Sequence, residues 1–260
     1  MRWATGYAQS RKVAPKKTAE TDAIFGQLER LRQHYQADPT VLRLSLDAKA
    51  TVLIGDYSRG GKSRLLVKAA DHDFQPTAKL TPYGILLPDH NRAFLYFTSG
   101  PVTSDFIVDC LLDCWSQIAP DFPAVQTLVL LQDNGPENHS RRTQFMQRIT
   151  QLADQLQLTV HLLYYPPYHS KYNPIERVWG GLEQHWNGAL LDSATAVLNF
   201  AKTMTWHKLH PVVTLVQQVY TTGVRLSQKA MTGLEQRFER LHGLAKYFVL
   251  IRPLPLALSG

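Results

Sequence analysis

The stretch Thr127-Leu128-Val129-Leu130-Leu131-Gln132-Asp133-Asn134-Gly135-Pro136-Glu137-Asn138-His139 decides how this chain is read. Its first half is an apolar run of strand length, bounded by a turn signal. Its second half opens with an acid followed by Asn-Gly, which turns the backbone sharply. An acid at the carboxyl end of a buried strand projects its carboxylate at the sheet rim, where α/β proteins bind ligands. Alone, these residues suit an ordinary Asp-Asn-Gly turn just as well.

Two more acids stand at comparable places. Asp47 closes the strand-like run Val41-Leu42-Arg43-Leu44-Ser45-Leu46, and Glu176 opens the helix-like run Asn173-Pro174-Ile175-Glu176-Arg177-Val178-Trp179. Pro174 suits the first helical position with Asn173 as its cap, which puts Glu176 in the first turn, where a carboxylate is favoured by the helix dipole. Glu183, seven residues on along the same face, is a rival or auxiliary acid. Carboxylates at the ends of three apolar elements can converge into an oxygen-rich pocket for hard divalent cations, and two such ions can run phosphodiester chemistry.

The net charge of +7 favours an anionic partner, nucleic acid being the commonest. Residues 1–19 carry Arg2, Arg11, Lys12, Lys16 and Lys17 and read as a basic arm able to lie along phosphates. Arg59, Lys62 and Arg64 form a second basic segment. His169, Lys171 and Tyr172, with Tyr165, Tyr168 and Arg177 beside them, place basic and aromatic side chains just around Glu176, a mixture suited to phosphates and unstacked bases.

Several function classes fall away. Gly55-Asp56-Tyr57-Ser58-Arg59-Gly60-Gly61-Lys62-Ser63 imitates a phosphate-binding loop but encloses five residues where that motif needs four. The histidines and two cysteines match no zinc spacing, and there is no Gly-x-Ser-x-Gly elbow. Cys110 and Cys114 share a helix face and read as buried small hydrophobes. No run approaches membrane-spanning length and the first residues lack the apolar stretch of a signal peptide, so the expectation is a cytoplasmic protein acting at the nucleoid.

The expected organisation is a basic arm and amphipathic helix over 1–40, a catalytic core over 41–192 and a helical extension over 193–260 packed on that core. Ile24, Leu28, Leu31 and Tyr35 line the first helix. Val41–Asp47 and Thr51–Ile54 read as a hairpin, Ala93–Phe97 as a third strand. Helix, strand, helix, strand and helix follow, carrying Ile107 to Ile118, Thr127 to Gln132, Phe145 to Leu156, Thr159 to Tyr164 and the segment after Asn173. This is the order of a mixed α/β sheet with helices on its faces. Val213, Val216 and Tyr220 mark one C-terminal helix, and Leu234, Phe238, Leu241 and Ala245 another.

Taken together, Ser45-Leu46-Asp47-Ala48-Lys49, Ile54 to Gly61, Gln132 to Asn138 and Tyr164 to Trp179 resemble the DDE-type insertion-sequence transposases of the Rhodopirellula-type group, from about residue 20 to 250. The resemblance implies an RNase H-like fold with Asp47, Asp133 and Glu176 as catalytic and metal-binding residues. It implies two Mg²⁺ ions, with Mn²⁺ as a substitute, and DNA as partner, both transposon end and target. Cleavage at the end and strand transfer by the freed 3′-hydroxyl follow, on a homo-oligomer assembled on the DNA. Full-length relatives place a helix-turn-helix domain ahead of the catalytic one. The 40 residues before the first strand are too few for it, so the expectation includes a truncated or split frame. The rival readings are a DNA-binding remnant that no longer transposes and a Mg²⁺ nuclease without strand transfer.

Overall fold

Leu42, Leu44 and Leu46 alternate with Arg43, Ser45 and Asp47 along Val41–Ala48 (β1). A period of two sends the leucines to one face and Ser45 and Asp47 to the other. Burying each leucine contributes roughly 1.5–3 kcal/mol, enough to fix the register against a one-residue slip. The computed structural model describes residues 17–56 and 76–255. The basic arm up to residue 16 and the segment with Arg59, Lys62 and Arg64 lie outside them.

In chain order the described elements are Thr21–Tyr35 (α1), β1, Val52–Ile54 (β2), Ala78–Leu87 (β3), Arg92–Thr98 (β4) and Ser104–Ile118 (α2). Thr127–Gln132 (β5), Thr143–Leu156 (α3), Thr159–Tyr164 (β6), Ile175–Trp186 (α4) and Ala194–Thr203 (α5) follow. Val212–Val216 (β7), Gln228–Glu235 (α6), Phe238–Arg240 (β8) and Phe248–Ile251 (β9) complete the set. The described strands make one mixed sheet of nine in the order β7-β4-β3-β1-β5-β6-β9-β8, with β2 also on β3. At its centre β1 runs antiparallel to β3 and parallel to β5, and β5 is parallel to β6.

Side-chain alternation divides the core. Tyr83, Ile85 and Leu87 of β3 and Phe94 and Tyr96 of β4 join α2 and α3 in the larger cluster. Leu86, Ala93, Leu95 and Phe97 pack with Ile175, Val178, Trp179 and Leu182 of α4 and with Val197 and Ala201 of α5. Helices on both faces of a mixed sheet are the architecture expected from sequence. Cys110 and Cys114 are buried and free, as their helical spacing predicts. No helix among the described residues is long and apolar enough to cross a membrane.

Three expectations need correction. β2 does not form a hairpin with β1: it pairs with the first half of β3, whose second half pairs with β1. β3 itself was absent from the sequence reading, because Pro82 and Gly84 interrupt its pattern. The segment around Val213 and Val216 is strand β7, which extends the sheet beside β4, not a helix. Similarly, α6 stops at Glu235 and Phe238 begins strand β8, so a helix from Leu234 to Ala245 does not exist. The described residues from 193 onward thus supply strands to both edges of the sheet as well as two helices.

Candidate active site

β1 and β5 are paired in parallel up to Ser45 opposite Leu131, so Asp47 and Asp133 both lie two residues beyond that pairing, at the carboxyl ends of neighbouring strands. Glu176 stands in the first turn of α4, which packs across β1 and β3. All three acids therefore stand on neighbouring elements, near enough for the charges of Asp133 and Glu176 to act on Asp47. The electrostatics agree. Burial first, then the negative charges of Asp133 and Glu176, push the Asp47 carboxyl up to about 7, against the opposing hydrogen bonds from Trp179 and the Ala48 backbone.

Local sequence explains how α4 is seated. The Ser45 hydroxyl donates to Asn173 Oδ1 and accepts from the Ile175 backbone N–H at 2.9 Å, while Asn173 Nδ2 donates to the Leu46 carbonyl at 2.8 Å. Asn173 was expected to cap α4 with its side chain. Instead both its amide atoms are engaged by β1, and Ser45 serves the orphan donor of Ile175, at the first residue of the helix. Ser45 and Asn173 are both buried, so each link is made without competition from water.

Asp47 is held from above. Trp179 Nε1 donates to its Oδ2 at 3.1 Å. The indole can reach because Asp47 pairs with Gly84 of β3: a Cβ at that position would stand 2.7 Å from two Trp179 ring carbons and 2.8 Å from Ile175 Cδ1. The loop after Asp133 is equally tied down. Asn138 Nδ2 donates to Gln132 Oε1 and to the Asp133 carbonyl, both at 3.1 Å, and the Tyr164 hydroxyl donates to the Asn138 carbonyl at 2.7 Å. Gly135 leaves space that a Cβ would take from Asn138 Oδ1, at 2.7 Å. Ser45, Asn138 and Trp179 lie within the stretches that resemble the family, but nothing in the sequence assigns them or Gly84 these supporting roles. A lone glycine inside a strand pattern was the available signal for Gly84.

Other acids are already engaged. Glu183, the rival to Glu176, forms an ion pair with Lys49. Glu137 is bound by Arg142 at 3.0 Å.

Among the grouped basic and aromatic residues, Lys171, Tyr172 and Arg177 are exposed, with Lys171 Nζ 5.1 Å from the Tyr172 ring centre. His169 is different. It is 4% exposed, its Nδ1 lies 2.7 Å from the Pro167 carbonyl, and its ring meets Phe25 of α1 edge-on and Tyr172 face-on. That burial sets it apart, as a candidate DNA contact, from its exposed neighbours. It anchors the loop that leads into α4.

The donor set matches hard divalent cations in kind: three carboxylates, the charges of Asp133 and Glu176 adding to the cost of ionising Asp47, a cost that a cation would offset. Among the described residues, no three acidic, histidine or cysteine side chains are gathered closely enough to enclose one ion as they stand.

A family model described as the Rhodopirellula transposase DDE domain matches residues 5–253. No curated protein matches the sequence. Among solved structures, the Mos1 transposase paired-end complex with the left transposon end aligns with a TM-score of 0.53 at 12% identity, over 76% of this chain and 58% of that one. The Mos1 mariner paired-end complex with Mn aligns with a TM-score of 0.52 at 11% identity, over the same shares. The Mos1 strand transfer complex gives a TM-score of 0.51 at 11% identity, over 76% and 57%. The chain thus spans less than two thirds of these proteins, and at such identity the likeness speaks for the fold, an RNase H-like one.

Proposed function

Because this chain belongs to the Rhodopirellula transposase DDE domain family, we propose that it cuts and joins DNA in the transposition of an insertion sequence, with Asp47, Asp133 and Glu176 as its catalytic acids. The observation that carries the reading is the placement of Asp47 and Asp133 at the carboxyl ends of adjacent parallel strands, with Glu176 in the first turn of α4, which packs on β1, and both other charges reaching Asp47. The structures named above with transposon ends, with Mn and as a strand transfer complex supply support by analogy of fold.

The three acids would hold divalent cations, Mg²⁺ or Mn²⁺ and two in number, which when bound activate the attacking oxygen and stabilise charge on the phosphate. The chain's own groups do the rest. Ser45 and Asn173 hold the start of α4, and with it Glu176, against the strand that carries Asp47. Asn138 fixes the turn that carries Asp133. Lys171, Arg177 and Tyr172 lie exposed around Glu176, where cations and an aromatic face suit the phosphates and bases of DNA. Arg59, Lys62 and Arg64 are proposed to extend that contact.

In the first step a water oxygen attacks the phosphorus at the transposon end and the bond to the 3′-oxygen breaks, releasing a 3′-hydroxyl. In the second, that hydroxyl attacks a target phosphorus and displaces the target's own 3′-oxygen. The first step is a hydrolysis that leaves a 5′-phosphate beside the freed 3′-hydroxyl, the second exchanges one phosphodiester bond for another and frees the target's 3′-hydroxyl, and neither needs a covalent protein–DNA intermediate. A homo-oligomer holding two ends would allow both to join one target.

The test is incubation of the purified chain with labelled DNA carrying the element's ends, plus target plasmid, in Mg²⁺ or in chelator. Metal-dependent nicking with joined product supports the full reading. Nicking without joined product would reduce it to a nuclease, and neither product to a DNA-binding remnant.

A further inference from the structure

We propose that Trp179 is a positioning residue for Asp47: its indole N–H fixes Oδ2 and so sets the orientation in which the carboxylate is offered to a divalent cation. The inference rests on the reading of Asp47 as a metal-holding acid and assigns the residue that orients it.

Three observations support it. Trp179 is 3% exposed, and its Nε1 lies 3.1 Å from Asp47 Oδ2. A buried indole N–H needs an acceptor, and here that acceptor is an acid of the site rather than a backbone carbonyl. The ring can sit there only because position 84, directly across from Asp47, lacks a Cβ. Trp179 also lies three residues after Glu176, within one turn of the same helix. One rigid element thus carries an acid of the site and the clamp on another. The Ser45–Asn173 link sets the height of that element on β1. A phenylalanine would fill the same apolar space, so packing alone does not call for the indole nitrogen.

Groups that orient a metal ligand through a hydrogen bond usually change metal affinity about 10–100-fold when removed. The experiment compares wild type with Trp179→Phe, which keeps a ring over Gly84, and with Gly84→Ala, which keeps the N–H but drives the ring from its seat. Mg²⁺ binding to the chain alone is measured by calorimetry, and cleavage is followed as a function of Mg²⁺. Folding of each variant is checked by thermal melting. Both variants should bind Mg²⁺ about 10–100-fold more weakly. Their cleavage should need correspondingly more metal and recover toward the wild-type rate at saturation.

A Trp179→Phe variant that binds Mg²⁺ as tightly as wild type overturns the proposal and leaves the function reading intact. So does a loss of maximal rate with no change in metal affinity, or a failure of both variants to fold, each of which makes Trp179 a packing residue only. Wild type that binds no Mg²⁺ overturns the inference and the function reading together.

Discussion

The side chains of Ser45 and Asn173, 128 residues apart in sequence, meet in a buried hydrogen bond that joins β1 to the start of α4. Asp47 follows one of them by two residues and Glu176 follows the other by three. The link therefore sets the spacing between two acids of the site before any ligand arrives. Ser45→Ala removes a donor from Asn173 and an acceptor from the Ile175 N–H, both in the core. Unsatisfied buried groups of this kind cost about 1–3 kcal/mol each. Chemical denaturation should show a loss of that order, and cleavage should fall further than DNA binding. A variant as stable as wild type would remove the link from the account.

Asp47 opposes folding when it is charged. Its folded pKa is raised to about 7 by burial and by Asp133 and Glu176, above the ordinary carboxylate value of 3.8. Between these values the folded chain holds the proton more tightly, so stability falls as pH rises through that window. Asp47→Asn should therefore melt higher than wild type at pH 8 without divalent ions, and the gain should vanish near pH 4. Added Mg²⁺ should raise the melting temperature of wild type more than that of the variant. A variant less stable than wild type at pH 8 would contradict the repulsion argument.

His161 of β6 works in the opposite pH direction. Its Nδ1 lies 2.8 Å from the Tyr35 hydroxyl, and burial pushes its pKa down to about 4 from the ordinary 6.5. The unfolded chain takes up the proton first as pH falls below 6.5. Stability present above that pH is lost on the way to 4, by about 3 kcal/mol in total. Urea unfolding at pH 7.5 and 4.5 should show a smaller acid loss in His161→Gln than in wild type. Equal losses would mean that His161 is not held neutral.

Lys171 and Arg177 are exposed cations around Glu176. Replacing either by alanine should weaken binding to end and unrelated DNA alike, and lower the salt slope of affinity by about 1. A change confined to one sequence would mean base readout instead of phosphate contact.

Much of the fold is legible in the chain. β5 and β6 are mostly apolar six-residue runs, β5 closed by Asp133-Asn134-Gly135 and β6 by Pro166-Pro167, and both occupy the residues their patterns predict. α2 and α3 follow from apolar spacing, with Thr103 capping α2 through the Phe106 N–H. β3 was hidden because Pro82 and Gly84 are poor strand formers. Yet Gly84 is there for the sake of Trp179, a contact that no local pattern encodes. β7 was misread because Val212–Val216 is short and half exposed, so its apolar residues fit either period. The three acids stand out in the sequence because each lies at the end of an element. Their supports do not, since Ser45, Asn173, Gly84 and Trp179 act through contacts made across the fold, and His169 looked like an open cation until packing against Phe25 and Tyr172 closed it.

The most direct test of the account is the rate of Mg²⁺-dependent cleavage of labelled end DNA by Asp47→Asn, Asp133→Asn and Glu176→Gln beside wild type, with DNA affinity measured on the same samples. Each variant loses one carboxylate charge and none of the basic surface, and affinity for DNA comes mostly from phosphate contacts. The account predicts that all three abolish cleavage while binding DNA at least as well as wild type. Cleavage at the wild-type rate by any one of them would contradict it.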